Sequence, residues 1–301
     1  MPSDTELQTL RQLNMHETVS TTHRLNPIRS FWTDHRHRTR RTGDIAELYH
    51  ENTKLTDRMQ QRLALTMQAF EDPGMERLEQ DIAPDHYDRE LCSLPSPGNL
   101  NVDLGTALAT RRSDRSFAER SLTPQTVATV LAMGCGVTRR ERTDDGTHRY
   151  RRSYPSAGAL YPVECYCAIG NVDSFTSGLY YYSQRKHGMR LLDTDAGVRA
   201  VDDAFAGPDV FAEWDASMVV ILSGVIARTT AKYGPRGYRY VLQESGHIAQ
   251  NLLVVATGLG LGAVPLAAFD DHRMNRVIGA DGVNEAVVYT LAIGTQPEVD
   301  Q

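Results

Sequence analysis

The sequence has no apolar run near the roughly 18 residues that a membrane-spanning helix needs. It is also poor in cysteine. Cys92, Cys135, Cys165 and Cys167 are all it has in 301 residues, too few for a disulfide scaffold. Cys165 and Cys167 alternate along a strand pattern and lack the C-x-x-C spacing of a redox or metal dithiol. They read as small apolar strand residues. An excess of positive charge is missing too: 32 lysines and arginines face 38 acidic residues, a net charge of −6. That argues against a protein that grips nucleic acid through phosphates. The opening MPSDTELQTLRQLNMHE lacks the apolar core of a signal peptide. A soluble cytoplasmic protein with no membrane or nucleic-acid partner is expected. What is present is an ordinary globular balance, 41% hydrophobic and 23% charged, in a length suited to about two domains.

Composition shifts near residue 95. Residues 1–94 are polar and form an expected N-terminal extension, partly helical; residues 95–301 form the denser domain. The basic stretch 35–44 contains His35 and His37 but no carboxylate or thiol arranged around them, so it reads as a solvated segment. Residues 47–74 carry a helical pattern, with Leu63, Leu65, Met67 and Phe70 on one side and a stop at Pro73-Gly74. Residues 92–100 read as a linker. In 122–136, Thr123 is an N-cap, Pro124 suits the first turn, and Val127, Val130 and Leu131 make the apolar stripe. A charged loop is expected over 138–152 around Asp145-Gly146. Strands are expected at 163–169, 178–183, 188–192, 217–224 and 286–294, the second and third as a hairpin, with a long helix over 241–262. The class is α+β, a mainly antiparallel sheet packed between helices.

Four stretches could carry chemistry. TRRSDRSF (110–117) gathers three arginines and two serines, either an anion site or a solvated charged turn. SYPSAGALYPVE (153–164) is a tight turn feeding a strand. It either lets backbone approach a planar ligand or simply connects. AKYGPRGYRYVLQESGH (231–247) sets Lys232, Tyr233 and Arg236 on a turn at the head of the long helix, as an acid/base pair or a surface turn. GLGLGAVPLAAFD (258–270) closes a helix and so fails as a dinucleotide fingerprint. It reads as a turn whose amides face a ligand. Glu244 and His247, i and i+3 on the long helix, share a face, and His247 is expected to be a hydrogen-bonded helix histidine, not a metal ligand.

In this order, PSAGALYPVE and KYGPRGYRY followed by ESGHIAQN resemble the nitroreductase-fold flavoproteins. More narrowly they resemble the FMN-dependent azoline dehydrogenases of ribosomal peptide synthetases, the streptolysin S-type group. The likeness covers about residues 100–294, and YHENTKL (49–55) is similar to the segment preceding the flavin domain in that group. The resemblance implies that Arg111 and Ser113 hold the FMN phosphate and that Arg115 sits at the polar edge of the flavin ring. Pro155, Ser156, Ala157 and Gly158 would line the ring, and the backbone of Ala267 and Ala268 would approach its hydride-accepting nitrogen. Lys232 and Tyr233 fall on the pair linked to azoline oxidation. Ala159 and Tyr161 depart from simple nitroreductases, which usually carry Asn and Gln there. The tail AIGTQPEVDQ lacks the late basic residue that many relatives use for phosphate. No metal is implied.

The implied activity is FMN-dependent oxidation of thiazoline or oxazoline rings, in a peptide or a related small molecule, by a homodimer that works beside a cyclodehydratase. The helix at 241–260, apolar on several sides, fits a dimer interface. Two alternatives stay open. One is an NAD(P)H-dependent nitroreductase or quinone reductase. The other is a non-catalytic subunit whose residues 1–94 dock a partner or a leader peptide.

Overall fold

The structure is a computed structural model and describes residues 45–56, 60, 64, 86, 88–142, 146, 148–205 and 216–297. The chain divides into two compact units, residues 1–51 and 52–301. The described end of the first unit lies in helix α1 (Ile45–Asn52). The helical pattern expected through 47–74 is broken there, because residues 53–56 are not helical. Leu63, Leu65, Met67, Phe70 and the basic stretch 35–44 lie outside the described residues.

In the second unit the described strands are β1 (Leu91–Ser93), β2 (Val137–Arg142), β3 (His148–Arg152), β4 (Val163–Ile169), β5 (Gly178–Ser183), β6 (Gly188–Asp193), β7 (Met218–Val225), β8 (Leu261–Leu266) and β9 (Glu285–Thr295). The helices are α2 (Leu104–Thr110), α3 (Pro124–Cys135), α4 (Val198–Asp202), α5 (Ile226–Tyr233), α6 (Gly237–Gly258) and α7 (Asp271–Ile278). Seven strands form one sheet in the order β1-β6-β5-β4-β7-β9-β8, every pairing antiparallel. Two expectations are corrected. The charged stretch 138–152 is a second, two-stranded sheet, because β2 and β3 pair antiparallel and alternate their side chains between two faces. The linker over 92–100 opens inside β1, an edge strand paired with β6.

The continuous apolar runs of β4 and β7 follow from cover on both faces. Cys165, Cys167, Val220 and Leu222 face one core with α3 and α6; Tyr166, Ala168, Val219 and Ile221 face another with α4 and α7. Cys135, Cys165 and Cys167 are buried free thiols. Helix α3 starts as its sequence dictates, with the Thr123 hydroxyl accepting from Thr126 N at 3.1 Å and Pro124 following. Helix α6 buries Val241, Ile248, Ala249, Leu252 and Ala256, spaced for one helix face. That face packs within the chain, against α3 and the sheet, while Leu242 on the same helix stays 41% exposed. No helix among the described residues is long and apolar enough to cross a membrane.

Candidate active site

The register of the sheet gathers the chemistry at one end. Val163 pairs with Gly224 and Gly224 with Ala286, so the start of β4, the end of β7 and the start of β9 lie together. β8 ends at Leu266 opposite Thr290 and leaves toward the same end, carrying Ala267 and Ala268 exposed behind it. The stretch expected as a ligand-facing turn over 258–270 is therefore mostly edge strand, and only its last residues are loop. Helix α5 departs from β7 at this end and places Lys232 and Tyr233 in its last turn. A short 3-10 turn, Gly234–Arg236, then joins it to α6.

The PSAG turn sits just before β4. Pro155 and Gly158 are exposed, and Ser156 and Ala157 are half-buried. Gly158 has φ of 62°, in the left-handed region that favours glycine. A Cβ there would stand 2.5 Å from the Tyr233 hydroxyl and 3.3 Å from Lys232 Nζ. The two stretches, separated by more than seventy residues of sequence, are thus in contact, and Gly158 is required by space as well as by φ.

This turn stores backbone strain. Ala159 at φ 56° and Tyr161 at φ 50° are left-handed without being glycine. Hydrogen bonds hold them there. Tyr161 N donates to Ser156 Oγ at 2.9 Å, Arg152 N donates to Tyr161 Oη at 3.2 Å, and Val225 N donates to Pro162 O at 2.8 Å. Arg228 Nη1 donates to Tyr161 O at 2.5 Å and to Glu164 Oε1 at 2.7 Å. Tyr181 Oη donates to Glu164 Oε2 at 2.9 Å. Arg228 and Glu164 are buried, so the ion pair is a fixed strut under the turn.

Glu244, on α6, is also buried beneath the turn. Val163 N donates to its Oε1 at 3.3 Å, while Oε2 has no hydrogen-bond partner. Burial pushes its carboxyl up to about 7, against the Ser156 hydroxyl, the Arg152 guanidinium, the Val163 N–H and Arg228, which pull it down. His247 is exposed and Glu244 buried, so the two do not share an environment, and the hydrogen bond expected of this helix histidine is not seen among the described residues. Beyond Tyr233, Tyr240 packs edge-on at 5.0 Å. Arg236 Nε donates to Tyr240 Oη at 3.0 Å, and Arg236 Nη1 and Arg239 Nε donate to the carbonyl and hydroxyl of Thr53 at 2.9 and 2.6 Å. The corner bearing Lys232 and Tyr233 is therefore braced by the NTKL segment.

The arginine stretch lies elsewhere. Asp114 N donates to Ala263 O and Ala118 N to Thr295 O, so the segment runs along the free side of β8, anchored by buried Phe117 against Gly262 and Gly294. Thr295 is level with Leu261, so moving back from Ala118 through Asp114 carries the chain toward the Leu266 end. Arg111 is half-buried, Ser113 and Arg115 are exposed, and no carboxylate pairs with either arginine among the described residues. β8 is three strand positions from β4, about 14 Å. Sequence reasoning did not foresee Arg228, Glu164 or the Thr53 brace. The one available signal was a charge, Glu164, inside an otherwise apolar strand.

An antiparallel sheet cased in helices, with an arginine-rich edge and a glycine turn facing a lysine–tyrosine pair, defines a family. The Nitroreductase family profile matches residues 108–295, and the chain belongs to that family. Among its relatives is a nitroreductase of Methanocaldococcus jannaschii, 35% identical over 187 residues, 60% of this chain and 87% of that one. Another is the microcin B17-processing protein McbC of Escherichia coli, 27% identical over 135 residues, 44% of this chain and 49% of that one. The match thus spans about half the length of McbC. Among solved structures, the E. coli microcin synthetase McbBCD complex with truncated pro-MccB17 bound aligns with a TM-score of 0.52 at 22% identity, over 72% of this chain and 83% of that one. At that identity the likeness is one of fold.

Proposed function

We propose that this chain is an FMN-dependent dehydrogenase that oxidises thiazoline or oxazoline rings to thiazoles or oxazoles in a ribosomally made peptide. The observation that carries the reading is the packing of Tyr233 and Lys232 onto Gly158 of the PSAG turn. Membership of the nitroreductase family supports a flavin, and similarity to a microcin-processing protein supports a peptide substrate.

The residues fit FMN. Arg111 and Ser113 offer a guanidinium and a hydroxyl for the phosphate, unpaired with any carboxylate among the described residues. Arg115 would face the polar edge of the ring and stabilise negative charge there. Pro155, Ser156, Ala157 and Gly158 would line the ring, and the exposed backbone of Ala267 and Ala268 would approach it. Bound FMN supplies the two-electron acceptor for the ring's hydride. Lys232 and Tyr233 are the catalytic pair: one takes the ring proton while the other holds it in place. The strut below the turn keeps those atoms in register. Full sites need a second copy of the chain in this reading. A cyclodehydratase partner makes the azoline, with residues 1–94 as its docking segment and 95–301 as the flavin domain. A substrate made on the ribosome is met in the cytoplasm.

A second reading, an NAD(P)H-dependent flavin reductase for nitroaromatics or quinones, is favoured by the name of the archaeal relative. Absorbance of the purified chain, then anaerobic mixing with an azoline peptide, separates the two. Flavin bleaching by the peptide alone, with loss of two hydrogens per ring, is the expected result. Bleaching by NAD(P)H and not by peptide would establish the second reading. Lys232→Ala and Tyr233→Phe are expected to keep the yellow colour and lose about 10²–10⁴-fold in turnover. Loss of bound flavin in either would make these residues cofactor contacts.

A further inference from the structure

The ribbon of β2 and β3 has no part in the chemistry described so far. Its two strands carry six arginines and one glutamate, on a chain whose net charge is −6. Asp144 and Asp145, between the strands in sequence, lie outside the described residues. The register sorts the charges of the strands onto two unlike faces. Arg139 is opposite Arg151 and Glu141 opposite Arg149, so these four share one face. There Glu141 pairs with Arg139 and accepts from Arg151 Nε at 2.9 Å. Arg140 is opposite Tyr150 and Arg142 opposite His148, so these four share the other face, to which neither strand contributes an acid.

On that second face one ring carries two guanidiniums. Arg140 lies 5.9 Å from the centre of the Tyr150 ring, and Arg185, in the turn between β5 and β6, lies 5.3 Å from the same centre. Arg140 and Arg142 are exposed, and among the described residues no carboxylate forms an ion pair with either. His148 Nδ1 is shielded from water and has no hydrogen-bond partner. The ribbon is also fixed beside the site. Ser153 N donates to Gly136 O at 3.0 Å, and Asn251 Nδ2 on α6 donates to Gly134 O and Ser153 O at 3.3 and 3.2 Å. Tyr150 precedes Pro155 of the PSAG turn by five residues, at most about 18 Å of chain.

We propose that the Arg140–Tyr150–Arg142 face docks a carboxylate-rich peptide stretch that flanks the ring to be oxidised. The peptide's role as substrate rests on the function proposed above. Guanidiniums match carboxylates in a planar fork and stack on aromatic rings, as they do here on Tyr150. A long nucleic-acid backbone would meet the repulsion of the whole acidic chain, whereas a short acidic stretch meets only this face.

The test is fluorescence anisotropy of the full chain with a short rhodamine-labelled peptide of alternating Glu and Gly, which carries no azoline. Saturable binding that weakens as salt rises is expected. Arg140→Gln and Arg142→Gln should each weaken it about three- to fivefold. Arg139→Gln, the same loss of charge on the opposite face, should leave it nearly unchanged. Equal weakening by all three variants overturns the proposal, because net charge alone would then account for the binding. So does an absence of binding at low salt, or tighter binding of a single-stranded oligonucleotide of the same length. A changed oligomeric state in Arg140→Gln also overturns it, giving the face to a second copy of the chain. With an azoline peptide that carries the acidic stretch, Arg142→Gln should raise KM and leave kcat unchanged. Binding of the probe without oxidation of an azoline peptide removes the dehydrogenase reading and keeps the docking face, whereas oxidation with an unchanged KM in Arg142→Gln removes the docking face alone.

Discussion

At the start of β4 three left-handed residues, Gly158, Ala159 and Tyr161, crowd into four positions, and Tyr161 is pinned by donating to Ser156 Oγ and accepting from Arg152 N and Arg228, with Val225 N donating to the next residue, Pro162. Along β8, Ser113 and Arg115 stand exposed and Arg111 is half-buried, and the tethers, from Asp114 N, Ala118 N, Gln296, Thr295 and buried Phe117, all fall at Asp114 or beyond and none on the side chains of Arg111, Ser113 or Arg115. The difference follows from what each region is proposed to do. A proton moves only between atoms already at hydrogen-bond distance, so that turn is held rigid at the cost of backbone strain. A phosphate brings its own charge and ordering energy, so arginines waiting for it are better left hydrated than buried without a partner.

The contrast is broken most severely at Arg228. Arg228→Met leaves Glu164 buried without its cation and should lower stability by about 3–5 kcal/mol in chemical denaturation. A loss no greater than that of Arg111→Ala would erase the distinction between the regions. Next comes Glu244. The folded chain holds its proton up to about 7, whereas an unfolded glutamic acid releases it near 4.5. Folding therefore binds a proton between those values. Stability falls as pH rises through the window, by roughly 3 kcal/mol when complete above about pH 7. Glu244→Gln should flatten that decline in thermal melts taken at several pH values; an unchanged slope would mean another group titrates.

Smaller effects sharpen the open side. Arg111→Ala should weaken FMN about 10–100-fold and leave riboflavin unchanged, with no loss of stability. Equal weakening of both ligands would move Arg111 off the phosphate. Gly158→Ala should cost about 1–2 kcal/mol of stability for the left-handed backbone alone. Because its Cβ meets the Tyr233 hydroxyl, it should reduce turnover more than flavin affinity. The reverse split, read from the flavin dissociation constant against kcat, would place the crowding on the cofactor.

The fold was largely legible in local pattern. The N-cap at Thr123, the hairpin of β5 and β6 and the two-sided burial of β4 and β7 each follow from residue order and hydrophobic periodicity. The arginine-rich stretch 138–152 misled because charge was read as loop, while alternation and β-branched flanks permitted strands. At the site, motif residues were legible by type: glycine in the turn, lysine beside tyrosine, arginines beside serine. Arg228 and Glu164 were not, because a buried ion pair spans 64 positions of sequence and leaves no periodic trace. The breadth of α6 is silent on an interface for a related reason. An apolar helix face does not say whether its cover comes from the same chain or another.

Residue order alone determined the class of the fold, the strands and caps, and the kinds of groups available, since these depend on neighbours a few positions apart. Only the folded chain decided that Tyr233 and Lys232 meet Gly158, that Thr53 braces their corner, and that Glu244 is buried where a carboxyl keeps its proton near neutrality. Those are matters of long-range register and of desolvation. Neither exists until the sheet closes and water is excluded from around the carboxylate.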